Sequence, residues 1–429
     1  MAKEIKMIEL FEKEKALLIT VDVFSIRKEG MKAEDEKQEL RELVKTAGLE
    51  ITEEVVCHYD KPSPNLFIGT GKASELSLVA AGHRIDVAVF SVDLSATQAR
   101  NLEEKLGCKV IDRTQLILDI FALHAKSPEG KMQVELAQLE YLLPRLTGKG
   151  TMLSRLGGGI GTRGPGEQKL ELDRRRIRSR ITKLKRDLEK IHTQRGLIRK
   201  KRKEEEMPSV SIVGYTNAGK TTLLNSLVNE HQLADDSLFT TLDSLSRILI
   251  LPNHQKVVIS DTVGFLHNLP HHLIEAFKAT LEDVKDADLL IHVLDVSHPL
   301  RYSYYESVNK VLEELDCLGK PILIALNKVD KMQDVSWLER YKIDFPHSIV
   351  ISALKKENLE GLLAMVSENL PKVMESVELS IPLDKMSLVD LVYREGKVEK
   401  ARYTSKSVFI TALLPSSAVK KFIPYVNKK

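Results

Sequence analysis

Apolar positions along the chain recur with several different spacings, and each change of spacing marks a change of architecture. From Ala16 to Ile111, short β-branched runs (LLITVDV, ITEEVV, VAVFSV) alternate with helical periodicity over Glu34 to Thr46 and Thr97 to Leu106. Strands alternating with helices predict a small parallel-sheet α/β domain over residues 1–112. Between Met132 and Leu146 the apolar residues Met132, Leu136, Leu139, Leu143 and Leu146 fall four, three, four and three apart. Ile177, Ile181, Leu184, Leu188, Ile191 and Ile198 continue that rhythm, missing a beat at Arg195. Heptad spacing on both sides of a glycine-rich stretch predicts an antiparallel helical hairpin over residues 113–206; two ordinary core helices are the plainer alternative. After Pro208 the runs SVSIVG, KVVIS, DLLIHVLDV, PILIALN and SIVIS read as buried strands separated by helices. They predict a doubly wound α/β domain over residues 207–372. The remainder, residues 373–429, reads as strand, helix, strand, strand, helix, a small α+β domain.

Composition narrows the setting. A chain of 429 residues with 43% apolar content is too long for one core and suits several soluble domains. Its three cysteines, Cys57, Cys108 and Cys317, match no zinc or redox spacing and suit a reducing compartment. Apolar runs such as Leu289 to Leu294 are far shorter than the roughly 20 residues that span a bilayer, and the first residues, MAKEIKMIELFEKEK, are charged throughout. A cytoplasmic location is expected, with no stable membrane insertion and at most peripheral association, and nothing requires more than a monomer.

Two glycine patterns compete for a nucleotide. Gly159-x-Gly161-x-x-Gly164 has dinucleotide-loop spacing, but that fingerprint must follow a strand and open a βαβ unit, whereas this stretch lies between two helical patterns. The stronger loop is Gly214-Tyr215-Thr216-Asn217-Ala218-Gly219-Lys220-Thr221, followed by Thr222, set between the strand SVSIV and a helix. GxxxxGK[ST] in that context wraps phosphates with backbone amides; Lys220 should reach the β- and γ-phosphates, and the Thr221 hydroxyl should hold Mg²⁺. Asp261-Thr262-Val263-Gly264 follows the strand KVVIS, placing a carboxylate near the metal and a glycine amide near the γ-phosphate. Asn327-Lys328-Val329-Asp330 follows PILIAL; a fixed carboxylate there accepts hydrogen bonds from N1–H and the 2-amino group of guanine, which adenine lacks. Ser352-Ala353-Leu354, after SIVIS, completes a base pocket.

In this order the motifs resemble the translation-factor-related class of GTPases. The resemblance makes "LFTTLD", with Phe239, Thr240, Thr241, Leu242 and Asp243, the switch that senses the γ-phosphate, and aligns its metal-binding threonine with Thr241 rather than Thr240. Many such enzymes place a water-orienting Gln just after DxxG. Here that position is Phe265, followed by Leu266, so slow intrinsic turnover is expected. Asn217 corresponds to the loop asparagine of relatives that use K⁺ in place of an arginine finger; Asn also simply suits a tight turn. Catalytic weight thus falls on Lys220, Thr241, Gly264 and, under the K⁺ reading, Asn217.

The flanking segments resemble the HflX family. The resemblance runs through "LFIGTGKASEL" (66–76), "DRTQLILDIFALHAKSPEGKMQVELAQLEYLLPRL" (112–146) and "GGGIGTRGPGEQKLELDRRRI" (157–177), then "GYTNAGKTTLLN", "LFTTLD" and "DTVGF". Departures are small: Thr222 where Leu or Thr is usual, and Thr240 where Ala often stands. The resemblance implies a bacterial GTPase that binds the large (50S) ribosomal subunit and its rRNA, splits or rescues stalled ribosomes under stress, and in some members also uses ATP through the N-terminal region. Gly69-Thr70-Gly71-Lys72 is too short for a Walker loop, and the sequence itself offers no site for that ATP.

The charge pattern independently suits RNA. The net charge is only +3, yet from Arg174, Arg175 and Arg176 to Lys203 there are fifteen Lys and Arg against the acids Asp187 and Glu189. Such density favours phosphate over a merely solvated face. The loop with Arg155, Gly157, Gly158, Gly159, Gly161, Arg163, Gly164 and Gly166 is either an RNA-contacting tip, its slim backbone able to approach closely, or a plain connector. Rival GTPase types fit less well. A tRNA-modifying GTPase would end in a cysteine motif, and this C-terminal region has no cysteine. An Era-type assembly factor would end in a GxxG loop, but Gly396 is the one glycine after Gly361, and an iron-transport GTPase would need membrane helices. A ribosome-assembly or RNA-remodelling role and a non-hydrolysing scaffold stay open at this level.

Overall fold

The computed structural model describes residues 13–23, 33–146, 165–204, 207–228, 246–265, 278–332, 337–371 and 374–426. The chain divides into two compact units, residues 1–187 and 188–429. In the first, β1 (Lys15–Val23), almost wholly buried, sits inside a four-stranded sheet ordered β2-β1-β3-β4, with β2 at Glu50–Tyr59, β3 at Val87–Phe90 and β4 at Lys109–Ile111. Every pairing in it is parallel, so the connections are helices: α1 (Ala33–Thr46), α2 (Thr70–His83) and α3 (Ala96–Leu106). A reciprocal Ser95/Gln98 capping box starts α3, and Gly107 in the left-handed region ends it.

Asp112 joins this sheet to the helices that follow. It caps α4 (Arg113–His124) by accepting from the Gln115 amide at 2.8 Å. It also accepts from the Leu94 amide at 3.1 Å, the Tyr141 hydroxyl at 2.6 Å and Arg145 Nη2 at 2.9 Å, the last two on α5 (Pro128–Arg145). The Arg145 guanidinium lies 3.4 Å from the centre of the Tyr141 ring.

The helical stretch departs from expectation in two respects. The buried face of α5 carries Gln133, Val134, Leu136, Ala137 and Tyr141, so of its heptad positions only Leu136 joins the buried set, because α5 also packs against α4. The next helix, α6 (Pro165–Glu204), does bury Leu184 and half-bury Ile177 and Ile181. Its ion pairs to α5, Arg180 with Glu135 at 2.6 Å and Lys185 with Glu140 at 2.7 Å, advance in the same direction along both helices. An antiparallel ladder would advance in opposite directions, so the expected antiparallel seam is not formed over this stretch. Heptad spacing identifies an apolar face; it does not dictate the direction of the helix that covers it.

The second unit contains a six-stranded sheet ordered β10-β9-β8-β5-β7-β6. Its strands are β5 (Ser209–Gly214), β6 (Ser246–Ile250), β7 (Lys256–Asp261), β8 (Leu289–Asp295), β9 (Ile322–Asn327) and β10 (Ser348–Val350). The five expected apolar runs are the parallel strands. The sixth, β6, carries the apolar run Ile248 to Leu251 that the sequence reading passed over; it pairs antiparallel with β7 at the edge and has Ile248 and Ile250 exposed. Around the sheet lie α7 (Lys220–Val228), α8 (Lys278–Asp286), α9 (Arg301–Glu314), α10 (Trp337–Asp344) and α11 (Leu359–Asn369). The last part is β11 (Met374–Pro382), α12 (Met386–Glu395), β12 (Lys397–Tyr403), β13 (Ser407–Pro415) and α13 (Ser416–Phe422), in the expected order. Its antiparallel sheet, β11-β13-β12, covers one face with Val389, Val392, Ala418 and Phe422 from the two helices. Gly396, between α12 and β12, lies so near β13 that a Cβ would stand 2.3 Å from the Leu413 carbonyl oxygen.

Candidate nucleotide site

The site forms where β5, β7, β8 and β9 end, the carboxyl edge at which open α/β sheets bind ligands. β5 runs into the loop 215–219 and then α7, so the loop amides and the helix N-terminus face the same space. Close approach explains the glycines. Gly214 has φ +155° and a Cβ there would lie 2.4 Å from the Val293 carbonyl oxygen; Gly219 has φ +95° and a Cβ would meet Asn327 Nδ2 at 2.4 Å. Asn217 adopts φ 59°, a left-handed conformation that Asn tolerates in a tight turn.

Lys220 is buried and donates to the carbonyl oxygens of Gly214 at 3.1 Å and Tyr215 at 2.9 Å. Burial pushes its ammonium down to about 8, the Asp261 carboxylate opposes that shift, and the Lys328 cation adds to it. A bound phosphate would supply the anion this desolvated cation needs. The Thr221 hydroxyl donates to Asp261 Oδ2 at 2.7 Å, so a hydroxyl and a carboxylate suited to a hard cation are adjacent at the phosphate end. The residue pair fits Mg²⁺.

The DxxG segment closes onto the loop. Phe265 donates its amide to the Gly214 oxygen at 3.1 Å and accepts from the Thr216 amide at 2.9 Å, extending the β5/β7 pairing by one bridge. Thr262 Oγ1 donates to the Ile212 oxygen at 2.7 Å, anchoring the strand end. At Gly264 an added Cβ would lie 2.8 Å from Thr216 Cα and 3.0 Å from Lys220 Nζ. The Thr216 hydroxyl is buried there without a hydrogen-bond partner. Tyr215 stacks on Tyr304 of α9 at 3.8 Å between ring centres.

At the base end, Asn327 ties two loops together: Nδ2 donates to the Ala218 oxygen at 2.8 Å, and Oδ1 accepts from the Ala353 amide at 2.9 Å. Asp330 accepts from the Ser352 hydroxyl at 2.6 Å, which orients the carboxylate. Val329 opens the short 3₁₀ turn that carries Asp330, and Leu354 is exposed. Lys328 Nζ donates to the Asn217 oxygen at 2.6 Å and pairs with Asp295 at 2.9 Å. Asp295 ends β8 and also accepts from the amide and hydroxyl of Ser297; sequence reading took its segment as a strand and missed this role. Its place at a strand's carboxyl end beside the nucleotide strands was the available signal.

Comparison with known proteins agrees with this geometry. A profile described as "50S ribosome-binding GTPase" matches residues 209–328; "GTP-binding GTPase N-terminal" matches 34–122 and "GTP-binding GTPase Middle Region" 124–202. The GTPase HflX of Caldanaerobacter subterraneus is 43% identical over 401 residues, covering 94% of this chain and 91% of that protein. This chain belongs to the HflX family. The HflX of Escherichia coli is 40% identical, covering 85% of this chain and 86% of its own length. A GTP-binding protein of Sulfolobus solfataricus, crystallised with GDP, aligns at 28% identity with a TM-score of 0.45, covering 83% of this chain and 98% of its own.

As an HflX GTPase with this P-loop domain, the chain is a GTP hydrolase, and P-loop GTPases generally use Mg²⁺. The structure gathers Gly214 to Thr222, Asp261 to Gly264, Asn327 to Asp330 and Ser352 to Leu354 around one edge of the sheet. Phe239, Thr240, Thr241, Leu242 and Asp243 lie outside the described residues, as do Arg155, Gly157, Gly158, Gly159, Gly161, Arg163 and Gly164. Of the cations on α6, Arg175 and Arg176 are exposed and Arg174 half-buried, while Arg180 and Lys185 are engaged with α5. The GxGxxG stretch lies outside the described residues; the described elements on either side of it in the chain are the helices α5 and α6.

Proposed function

We propose that this HflX protein binds GTP with Mg²⁺ at the sheet edge and couples hydrolysis to association with the large (50S) ribosomal subunit and its rRNA, splitting or rescuing stalled ribosomes in the cytoplasm under stress. Lys220 and the loop amides neutralise the phosphates, Gly264 supplies an amide to the γ-phosphate, and Asp330, held by Ser352, selects guanine. Thr221, with Asp261 beside it, and Thr241 would hold the metal; when bound, Mg²⁺ would supply positive charge where the phosphoryl group transfers. Tyr215, Thr216 and Ala218 shape the phosphate loop, and Asn327 and Ala353 hold the base loops together.

The observation that carries the ribosomal reading is the cationic run of α6, directly after the glycine-rich segment, with Arg175, Arg176 and Arg178 exposed. The described residues offer Phe265, not a polar side chain, after DxxG. An apolar ring cannot orient the attacking water, so activation from a partner follows naturally. Asn217 presents a loop oxygen and a side-chain oxygen to Lys328, and K⁺ is proposed as a further activating cation beside it. GTP hydrolysis in K⁺ buffer, with and without isolated large subunits and with Lys220→Ala as the blank, tests the reading. Strong stimulation by the subunits is expected; GTP binding without stimulation would overturn the ribosomal partner. Stimulation by K⁺ over Na⁺ that vanishes in Asn217→Ala would support the cation role, and equal rates in both salts would remove it.

A further inference from the structure

The three-stranded sheet of the C-terminal domain has one face packed under α12 and α13 and the opposite face open. On β13, Val408, Ile410, Ala412 and Leu414 point into the core, leaving Phe409, Thr411 and Leu413 on the open side. Phe409 is 42% exposed, a large aromatic presented where a folded domain ordinarily places polar residues.

The neighbouring strand sets cations against that column. Lys397 pairs with Leu413, Lys400 with Thr411 and Arg402 with Phe409. Lys397 and Lys400 are three residues apart, so an unbroken strand would aim them at opposite faces. The irregularity at Glu399 shifts the register by one residue and brings all three cations onto the open face. Their side chains are exposed and have no ion-pair or hydrogen-bond partner among the described residues. On the other flank, β11 contributes Ser380 opposite Phe409 and a single acid, Glu378, opposite Thr411.

We propose that this face binds single-stranded RNA, with a base stacked on Phe409 and successive phosphates held by Lys397, Lys400 and Arg402. A flat aromatic beside a cationic row matches a strand whose bases are unstacked and whose backbone is anionic; a duplex keeps its bases inside and offers the ring nothing to stack on. The β-α-β-β-α order, with both helices on one face, resembles the first five elements of the split β-α-β motif whose free sheet face serves RNA recognition in other proteins, an analogy that the surface chemistry supports. The site lies outside the segments 34–122, 124–202 and 209–328 that the family profiles match, and its residues are not those of the α6 cationic run.

The test uses the full chain and a fluorescein-labelled 12-nucleotide single-stranded RNA carrying 4-thiouridine. Photo-cross-links are expected in the peptide 397–413. Phe409→Ala should weaken binding about fivefold or more, the lower end of one base stack, while Phe409→Tyr keeps it. Lys400→Ala with Arg402→Ala should flatten the slope of log affinity against log salt by about 1.4, since each single-strand phosphate contact contributes about 0.7. Circular dichroism and thermal melting, with GTP binding alongside, report that the variants are folded. Cross-links confined to α6 with unchanged affinity in Phe409→Ala would overturn the proposal, as would tighter binding of a fluorescein-labelled acidic peptide than of the RNA. Stimulation of hydrolysis by large subunits is read separately, so failure of either idea leaves the other standing.

Discussion

Asp330 shows how much one carboxylate decides. Ser352 donates to one of its oxygens, and the geometry asks guanine to supply the remaining donors. Asp330→Asn would present an amide donor to N1–H, so GTP affinity should fall at least about 100-fold, because a site built around hydrogen bonds leaves polar groups unpaired when they are lost. Fluorescent GTP titration measures the loss, and xanthosine triphosphate, with an oxygen in place of the 2-amino group, should recover part of it. Gly264→Ala tests close approach rather than charge. With Thr216 Cα 2.8 Å from the added carbon, the segment must move, and kcat should fall while GDP binding persists in a stopped-flow and equilibrium comparison. His292 adds a pH dependence. Burial, aided by the Lys220 cation, pushes its imidazole down to about 3; both ring nitrogens are without a partner, and the ring stacks on Tyr305 at 5.2 Å. The native state therefore binds fewer protons than the unfolded chain between about pH 6.5 and 3, so this contribution is present above 6.5 and lost on acidification. At pH 5 the loss should be on the order of 2 kcal/mol, and His292→Leu should flatten thermal melts between pH 7.5 and 5.

At the scale of elements, the motif residues were legible because phosphate loops need glycine, lysine and a hydroxyl at fixed spacing after a strand. Asp295 was not legible. It reads as the end of an apolar run, and only the adjacency of β8 and β9 brings it to Lys328. Edge strand β6 was legible in its apolar run Ile248 to Leu251, but its antiparallel pairing at the sheet edge, which leaves Ile248 and Ile250 exposed, is a tertiary fact. The helices α4 and α5 depend on Asp112, a carboxylate whose side chain is 1% exposed and which serves a capped amide, a tyrosine hydroxyl and a guanidinium. Asp112→Ala strands the Tyr141 hydroxyl and leaves Arg145 without its counter-charge, and should cost about 3 kcal/mol. Chemical denaturation followed by circular dichroism would register it, with Asp112→Asn intermediate because the amide oxygen can still accept.

Across the whole molecule, hydrophobic burial is divided among separate clusters, one under the four-stranded sheet, others on the two faces of the six-stranded sheet and one in the C-terminal domain. Ligand stabilisation should therefore be local to the unit that binds. GTP with Mg²⁺ at 100 times its dissociation constant should add about 2.7 kcal/mol to unfolding of residues 188–429 and leave residues 1–187 unchanged. Hydrogen exchange resolved by peptide would display that difference; equal protection in both units would refute it.

What the amino-acid order determined by itself was local and periodic: strand and helix alternation, the phosphate loop, the carboxylate Asp330 proposed to select guanine and the cationic run after the glycine-rich segment. These follow from spacing along one chain, where backbone geometry makes period and face equivalent. Tertiary structure alone decided which faces meet. It directed α6 across α5 without the antiparallel order that heptads suggested, brought Asp295 to Lys328 across neighbouring strands, and used one shifted residue in β12 to gather three cations beside Phe409. A period specifies the side of an element that is apolar or charged, whereas its partner, direction and register are settled by packing between segments distant in sequence.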